Sequence, residues 1–335
     1  MAGALHMQET VVITGASAGV GRATAQLFGR RRAKVGLIAR GRDGLEAAKR
    51  EIETAGGEAL VLPLDVSDAD AVENAAAEVE RAFGPIDIWV NNAMLSVFSP
   101  IDEMTPDDYR RVTEVTYLGY VWGTLAALRR MKPRDRGVIV QVGSALAYRG
   151  IPLQSAYCAA KHAVQGFHDS LRSELIHDGS HVRVVMVNMP ALNTPQFRWV
   201  KSRLPRKAQP VPPIFQPEVA AEAIAWAAYS GRREINVGLP TSMAVIGNNF
   251  FPGFGDEYLG KHGYDAQMID EPEDPNRPNN LYEPLPGDHG AHGVFDDRSR
   301  PLSIELELNK KRNWLAAGAA FAAFSFLLWK QKRNS

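Results

Sequence analysis

Cysteine is almost absent from this sequence, with Cys158 the one example among 335 residues. A lone cysteine excludes an internal disulfide and a cysteine-based metal cluster, and the shortage is typical of proteins from a reducing compartment. The two nearby histidines His289 and His292 are not accompanied by a recognisable set of further ligands. We therefore predict that the protein holds no metal ion.

The sequence also lacks an excess of charge of either sign, with 38 basic and 38 acidic residues. This balance argues against a general affinity for nucleic acid. Residues 1–9 lack a basic segment followed by a long apolar run, which argues against a secretory signal. A chain of this length can form one large domain with appendages or two modest domains.

Short apolar runs alternate with longer amphipathic runs over the first 240 residues. The runs predict strands at 11–13, 34–39, 59–64, 86–90, 137–142, 182–188 and 234–238. Strands that alternate with helices form a parallel sheet through right-handed crossovers, so we predict an α/β fold, a doubly wound parallel sheet of Rossmann type. The predicted organisation is a tail at 1–9, one domain at 10–245, an irregular extension at 246–309 and an apolar tail at 310–335.

A glycine-rich turn follows the first predicted strand and precedes a helix, in the sequence from Thr14 to Gly21. Glycines permit a tight turn and the close approach of a phosphate, and the amides at the helix start face a pyrophosphate. A turn in this position predicts a dinucleotide site. Its candidate residues are Gly15, Ser17, Gly19, Val20 and Gly21.

The second predicted strand ends at Arg40, where an acidic residue would accept hydrogen bonds from the ribose hydroxyls of NAD. A basic residue favours the 2′-phosphate of NADP, although Arg40 and Arg42 could equally belong to a solvated turn. Asp65 and Val66 follow the third strand, and Asp65 could face the adenine amino group or cap the next helix. Asn92 follows the fourth strand and could line the same cleft.

Tyr157 and Lys161 lie four positions apart in a predicted helix, and Ser144 ends the strand before it. The i, i+4 spacing places the tyrosine and the lysine on one helix face. A neighbouring cation favours the phenolate and lowers the pKa of a tyrosine, and a serine hydroxyl can hold the oxygen that gains or loses the proton. Such a pair also occurs on many helices by chance, so its meaning depends on the cleft around it.

The chain resembles the classical short-chain dehydrogenase/reductase family over residues 10–238. The resemblance is carried by Thr14-Gly15 with Gly19 and Gly21, by Asp65, by Asn91-Asn92-Ala93, by Ser144, and by Tyr157 with Lys161. It implies that Tyr157 is the proton donor or acceptor, that Lys161 lowers its pKa and holds the nicotinamide ribose, and that Ser144 orients the substrate oxygen. It also implies that Pro190 and Thr194 lie at the nicotinamide.

Three positions depart from the family pattern. Met94 stands where the family has glycine, and its side chain would crowd the loop or form part of the pocket wall. Thr116 falls at the family's fourth catalytic position, usually asparagine, and could still form a hydrogen bond there. Ala191 replaces the glycine that usually follows the proline of the sixth strand end.

The resemblance implies an NADP(H)-dependent oxidoreductase that interconverts a secondary alcohol and a carbonyl and forms a homo-oligomer. The alternatives are an epimerase or dehydratase that uses the cofactor transiently, and a cofactor-bound scaffold or sensor with impaired activity. Five basic residues at 192–216, in the region that forms the family's substrate lid, could select an anionic substrate, meet an anionic membrane or form a solvated helix face. Residues 248–301 could be draped on the domain or form a partly disordered linker.

The last notable stretch, residues 314–329, carries no charge and lies between clusters of lysine and arginine. As a helix these sixteen residues (329 − 314 + 1) would span about 24 Å at ~1.5 Å per residue, against about 30 Å for a hydrocarbon core. Tryptophans and basic residues at both ends can cover the difference. We predict a membrane anchor rather than a buried terminal helix, a cytoplasmic catalytic domain, and an apolar substrate.

Overall fold

A seven-stranded parallel sheet forms the centre of the computed structural model, which describes residues 8–312. Its strands are β1 Thr10–Thr14, β2 Lys34–Ala39, β3 Glu58–Pro63, β4 Ile88–Asn91, β5 Val138–Ser144, β6 Arg183–Met189 and β7 Glu234–Asn236. The spatial order is β7-β6-β5-β4-β1-β2-β3, and every neighbouring pair is parallel. The predicted doubly wound fold is confirmed.

Nine α-helices accompany the sheet in residues 8–312, besides a helical segment at 304–312. They are α1 Gly19–Arg30, α2 Arg42–Thr54, α3 Ala69–Phe83, α4 Pro106–Thr113, α5 Gly119–Met131, α6 Ser155–His177, α7 Pro217–Ser230, α8 Leu239–Phe250 and α9 Pro252–His262. Helices α1, α2 and α7 pack on one face of the sheet, and α3 to α6 pack on the other.

The two faces of the sheet are buried, which explains why its strands are continuous apolar runs rather than alternating ones. Val11 and Ile13 of β1 contribute to one hydrophobic cluster, and Val12 between them contributes to the other. The strand order reverses between β1 and β4. In folds of this kind, ligands bind at the carboxyl ends of the strands beside that reversal.

Residues 106–131 form two helices rather than one continuous helix. Helix α4 ends at Thr113, a π-helical turn occupies Glu114–Leu118, and α5 begins at Gly119. Gly119 and Gly123 allow close packing of α5 against its neighbours, since a Cβ on Gly119 would meet Val66 Cγ2 at 2.8 Å. A Cβ on Gly123 would meet Asn91 Oδ1 at 2.2 Å.

The predicted extension is more regular than its composition suggests, and the predicted boundary after residue 245 falls inside α8. Helix α9 lies within the extension, and its strand Met268–Pro272 pairs with Arg206–Ala208. The described part of the extension is therefore draped on the domain rather than a free linker. Within residues 8–312 no helix is long and apolar enough to cross a membrane. The predicted anchor at 314–329 lies outside the described residues.

Four of the five basic residues of the predicted lid form ion pairs rather than a solvated helix face. Lys201 Nζ and Arg203 Nη2 lie 2.7 and 2.6 Å from the carboxylate oxygens of Asp108, a buried residue of α4. Burial alone would raise the pKa of Asp108, but hydrogen bonds from the two cations lower it to about 2. Lys207 pairs with Glu271 of the extension at 2.8 Å. The lid is thus clamped between α4 and the extension.

Candidate active site

A cavity of about 520 Å³ lies at the carboxyl ends of the central strands. It is lined by nearly all of the predicted cofactor-binding residues: Gly15, Ser17, Gly19, Val20, Arg40, Asp65, Val66, Asn92, Tyr157, Lys161, Pro190 and Thr194. Ser144 lines it as well, and Met94 forms part of its wall. The sequence thus predicted a set of residues that the fold gathers into one cleft.

The turn between β1 and α1 depends on its glycines. Gly15 and Gly19 have φ angles of +69° and +56°, which side-chain-bearing residues rarely adopt. Gly21 lies behind the cavity wall, and a Cβ on it would meet the carbonyl oxygen of Gly15 at 2.1 Å. The space in front of the turn and the position of the α1 N-terminus beside it fit the pyrophosphate of a dinucleotide.

Asn91, the last residue of β4, and Asn92, which follows it, have different roles beside this turn. Asn92 donates from its backbone N–H to Thr14 Oγ1 at 2.9 Å and from Nδ2 to the Thr14 carbonyl oxygen at 2.9 Å. Asn91 is buried, accepting from Trp89 Nε1 at 2.8 Å and donating to Gln141 Oε1 at 3.0 Å. Asn91 therefore ties neighbouring strands together, whereas Asn92 also faces the cleft.

Asp65 is engaged by a residue that the sequence analysis missed. Arg111 of α4 donates to Asp65 Oδ2, while Ser67 donates from its backbone N–H and hydroxyl to Asp65 Oδ1 at 3.0 and 2.8 Å. Burial would raise the pKa of Asp65, but hydrogen bonds from Arg111 and Ser67 lower it. The alternative that Asp65 caps α3 is wrong, because Asp68 is the cap and accepts from the Ala71 N–H.

Arg40 is not part of a solvated turn, because the extension covers it. Its guanidinium donates to the carbonyl oxygens of Asn280 and Tyr282 at 2.5 Å each. Leu281 between them is buried in the hydrophobic cluster, and its carbonyl oxygen accepts from Arg111 Nε at 2.9 Å. Burial lowers the pKa of Arg40.

The segment that covers Arg40 continues along the glycine turn, and we call residues 280–290 the strap. Asp288 lies 3.2 Å from Arg22 Nη1, and the Gly287 N–H donates to Asp43 at 2.8 Å. The Gly19 N–H donates to the carbonyl oxygen of Gly290 at 3.1 Å. The strap is thus the outer wall of the cavity where an adenosine and a pyrophosphate would lie. No periodic pattern in the sequence marks it.

Ser144, Tyr157 and Lys161 come together where β5 meets α6. Ser144 ends β5, and its Oγ accepts from the Leu146 N–H at 3.1 Å. The Lys161 Nζ lies 5.7 Å from the ring centroid of Tyr157, one helical turn away. The predicted shared face of the helix is therefore present.

The electrostatics of this group differ from the simple expectation that Lys161 lowers the pKa of Tyr157. Burial raises the pKa of Tyr157, and a hydrogen bond with Ser144 opposes that rise. Burial also lowers the pKa of Lys161, which is 2% exposed, to about 7. The ammonium group of Lys161 is directed towards acceptors other than the Tyr157 hydroxyl.

Those acceptors are the hydroxyl of Tyr120, 2.9 Å from Lys161 Nζ, and the carbonyl oxygen of Val142 at 2.7 Å. The Tyr120 hydroxyl in turn donates to the same carbonyl oxygen at 3.0 Å. Tyr120 is buried, and its ring centroid lies 4.5 Å from Lys161 Nζ. The sequence analysis missed Tyr120, although it lies one helical turn beyond the singled-out Thr116.

Thr116 does not line the cavity, and its hydroxyl forms hydrogen bonds with the backbone of Leu95 instead. Its Oγ1 accepts from the Leu95 N–H and donates to the Leu95 carbonyl oxygen, both at 2.9 Å. Thr116 lies in the π-helical turn and is completely buried. It thereby fixes the loop after β4 to the helix, while Tyr120 supplies the hydroxyl beside Lys161.

The far end of the cavity is predominantly apolar. Its walls include Phe98, Phe197, Trp199, Val200, Tyr258 and Leu259, with Gln154 and His262 among the polar members. Most of these residues come from the lid and from α9, where the sequence has no motif that identifies a substrate. Such a lining suits an apolar molecule oriented by a few polar groups.

Comparisons with known proteins agree with this arrangement. The family model described as short chain dehydrogenase matches residues 9–204. An uncharacterized oxidoreductase of Bacillus subtilis, YxnA, is 32% identical over 283 residues, which are 84% of this chain and 80% of that protein. Dehydrogenase/reductase SDR family member 7B of Rattus norvegicus is 38% identical over 181 residues. That match covers 52% of this chain and just over half, 56%, of the rat protein.

Two solved structures share the fold. A metagenomic short-chain oxidoreductase in complex with NADP is 29% identical with a TM-score of 0.57, covering 68% of this chain and 96% of that one. An alcohol dehydrogenase from Thermococcus sibiricus complexed with 5-hydroxy-NADP is 29% identical with a TM-score of 0.58, covering 69% and 95%. Together with the family model and the geometry of the cleft, these matches establish that the chain belongs to the short-chain dehydrogenase family.

Proposed function

We propose that the protein is an NADP(H)-dependent oxidoreductase that interconverts a secondary alcohol and a ketone or aldehyde. The observation that carries the proposal is the meeting of Ser144, Tyr157 and Lys161 in the same cavity as the glycine turn. A nicotinamide cofactor supplies or accepts the hydride in such chemistry. The fit of the cleft to a dinucleotide rests on the glycine turn, where Gly15 and Gly19 line the cavity without a side chain that could block it.

Each member of the site has a distinct role in the proposed reaction. Ser144 holds the substrate oxygen, and the Tyr157 hydroxyl gives that oxygen its proton during carbonyl reduction. Protonated Lys161 stabilises the phenolate that remains, because an opposite charge nearby favours the ionised form. In alcohol oxidation the Tyr157 oxygen takes the proton back. The burial that raises the pKa of Tyr157 keeps it a proton donor until substrate is present.

The preference for NADP(H) over NAD(H) is part of the proposal, and Arg40 supports it. Arg40 lines the cavity directly after β2, at the position where a carboxylate would favour NAD. Two strap carbonyl oxygens fix the side chain there. Fixing a guanidinium in advance reduces the entropy lost when it binds a phosphate.

Membrane attachment through residues 310–335, a cytoplasmic catalytic domain and homo-oligomer formation remain predictions. The uncharged stretch between basic clusters supports attachment. The intact chain should stay in the membrane fraction during carbonate extraction, and a chain without residues 314–335 should be released. An intact chain that carbonate extracts fully would contradict the attachment.

The proposed reaction is tested by incubating the purified protein with NADPH and a panel of ketones and aldehydes. We expect NADPH to bind, detected by its fluorescence, and to be consumed with apolar carbonyl compounds. A substrate converted without net change in NADPH would indicate the epimerase or dehydratase. Binding without any conversion across the panel would indicate the impaired scaffold.

A further inference from the structure

Helix α8 exposes an apolar stripe on a surface that the proposed reaction does not use. Leu239, Met243, Ile246 and Phe250 are 62, 64, 57 and 72% exposed. Their spacing of four, three and four residues places them on one face of the helix. The twelve residues of α8 include no charged side chain.

Helix α9 extends this stripe. Phe251, Phe254 and Tyr258 are 68, 74 and 55% exposed. The rings of Phe250 and Phe251, at the junction of the helices, have centroids 6.4 Å apart, and Phe254 stacks on Tyr258 at 6.4 Å. We call these seven residues of Leu239–Tyr258 the α8–α9 apolar surface. Contiguous exposed apolar groups of this size mark interaction sites on soluble proteins.

Hydrogen bonds and an ion pair attach α8 and α9 to the domain on their inner side. Asn248 Nδ2 donates to the Tyr148 carbonyl oxygen at 2.9 Å, and its Oδ1 accepts from Arg149 at 3.0 Å. Arg149 also pairs with Asp256 of α9 at 2.6 Å. Asn248 and Asp256 therefore tie α8 and α9 to the domain, while the large apolar residues of the two helices stay exposed.

The α8–α9 apolar surface adjoins the cavity of the active site. Tyr258 belongs to the surface and also lines the cavity, as do its neighbours Leu259 and His262. Pro240, beside Leu239, lines it from α8. A partner that covers this surface therefore lies beside the substrate end of the cavity.

The sequence around the C-terminal helical segment indicates what that partner is. Ser242 of α8 donates a hydrogen bond to Glu305, which places residues 304–312 next to α8. Ile304 and Leu308 of that segment are also exposed, at 72 and 53%. The chain then continues into the uncharged residues 314–329, with lysines and arginines on both sides.

A lipid bilayer accounts for both the α8–α9 apolar surface and the uncharged residues 314–329. A second copy of the chain, or the C-terminal tail itself, accounts for only one of these two features. A second copy of the chain could cover the α8–α9 apolar surface but would leave the uncharged residues unexplained. Docking of those residues on the surface would bury only one side of a segment that is apolar throughout. Aromatic residues and flanking cations are the groups that favour the membrane interface.

We propose that the α8–α9 apolar surface lies in the interfacial layer of a lipid bilayer, with the substrate end of the cavity beside it. The surface would then act together with the C-terminal tail, fixing the orientation of the domain on the membrane. A further consequence, which rests on the proposed function, is that apolar carbonyl substrates enter the cavity from the lipid.

The test uses the full chain with an environment-sensitive fluorophore on a cysteine introduced as Phe254→Cys. The native Cys158 is 6% exposed, so we expect it to react slowly with the label. Ile176→Cys is the matched control, because Ile176 is 67% exposed at the end of α6, outside the surface. On addition of phosphatidylcholine vesicles, we expect the label at 254 to shift to shorter wavelength and to be quenched by spin-labelled lipids, and the label at 176 to do neither.

Three results would overturn the proposal. Vesicle binding without any change at 254 would mean that the tail alone meets the membrane. A label at 254 that is already shielded without vesicles would point to the tail or to a second copy, which the mass in solution distinguishes. Failure of the chain to bind vesicles would also reject it. None of these readouts depends on enzymatic activity, so a failure of this proposal can be distinguished from a failure of the proposed function.

A second variant guards against effects of the label. Phe250→Ser combined with Phe254→Ser should weaken vesicle binding of the full chain by about tenfold or more, since each burial of a phenylalanine contributes strongly to interfacial binding. Ile176→Ser should leave it unchanged. Equal binding by both variants would contradict the proposal, provided that circular dichroism shows both to be folded.

Discussion

The ammonium group of Lys161 is held by two neutral acceptors, the Tyr120 hydroxyl and the Val142 carbonyl oxygen. Burial is the cause of its lowered pKa of about 7. A lysine with such a pKa changes its charge within the physiological range, so its immediate hydrogen-bond partners influence the pH at which the proposed reaction works. Tyr120 is therefore a positioning residue in the proposed mechanism.

Replacing Tyr120 by phenylalanine removes one acceptor from the charged form of Lys161. We expect the pKa of Lys161 to fall further, so that kcat/KM is lost on the alkaline side at a lower pH, with about a tenfold decrease near neutral pH. The measurement is the pH profile of kcat/KM for a carbonyl substrate. Tyr117→Phe is the control, because Tyr117 packs with the hydrophobic cluster. Superimposable profiles for the two variants would contradict the role of Tyr120.

Arg40 offers a second test at the residue scale. We expect Arg40→Asp to repel the 2′-phosphate and to change the ratio of NADPH to NADH affinity by about a hundredfold in favour of NADH. The same substitution at Arg42, which is exposed and pairs with Glu46 at 3.5 Å, is the control. Affinities follow from cofactor fluorescence titrations. A ratio that stays constant in Arg40→Asp would remove Arg40 from cofactor selection.

The site residues that could be predicted from the sequence are those whose spacing places them together in a regular element. Tyr157 and Lys161 are four residues apart on one helix, and Ser144 ends a strand, so elementary geometry brings them together. Tyr120 and Arg111 could not be found in this way, because their roles depend on how α4 and α5 are rotated against β5 and the strap. A π-helical turn at Glu114–Leu118 also lies between α4 and α5, and composition does not predict it.

Among the elements, the strap has the clearest consequence for the proposed cofactor. Arg22, Arg40 and Arg111 bind it from the domain, and the buried Leu281 anchors it. A dinucleotide that lies beneath the strap can leave only when these contacts open. Dissociation of the cofactor should therefore be slow and should depend on the anchor.

Leu281→Ala should loosen the strap, since truncating a buried leucine costs roughly 2–5 kcal/mol of local packing. We expect NADPH and NADH to dissociate about tenfold faster, by similar factors, which separates this effect from that of Arg40→Asp. Stopped-flow fluorescence measures the rates. Pro286→Ala, an exposed position of the same strap, should leave them unchanged. If Leu281→Ala releases cofactor at the normal rate, the strap does not limit dissociation.

The conformation of the strap and of the rest of the extension could not be predicted from the sequence. Residues 246–309 are rich in proline, glycine and acidic residues, a composition shared by linkers and by irregular segments packed on a domain. What decides between them is a set of long-range pairs, such as Arg22 with Asp288 and Lys207 with Glu271. Pairs of this kind leave no periodic signal.

For the whole molecule, burying Lys161 has a cost that depends on pH. Its pKa is about 7 in the folded protein and about 10.4 in an unfolded chain. Below pH 7 both states carry the proton, so the contribution is constant. Between the two values the unfolded chain holds a proton that the folded state lacks, so the free energy of unfolding rises with pH.

Lys161→Met removes this titration. We expect the stability of the wild type relative to Lys161→Met to increase by roughly 2 kcal/mol between pH 7 and about pH 9. Urea unfolding at the two pH values provides the measurement. Lys49→Met, at an exposed position of α2, should show no such trend. A difference between wild type and Lys161→Met that does not change with pH would mean that Lys161 keeps its proton when folded.

The central claim is that Tyr157 transfers the proton while a nicotinamide cofactor transfers hydride to a carbonyl carbon. The most direct measurement uses NADPH with deuterium at the transferable position of C4, a reactive ketone from the panel, and mass spectrometry of the alcohol. For the wild type, we predict one deuterium on the carbinol carbon. For Tyr157→Phe, we predict NADPH binding within about threefold of wild type and a loss of labelled alcohol of about a thousandfold or more. Labelled alcohol formed by Tyr157→Phe at the wild-type rate would contradict the account.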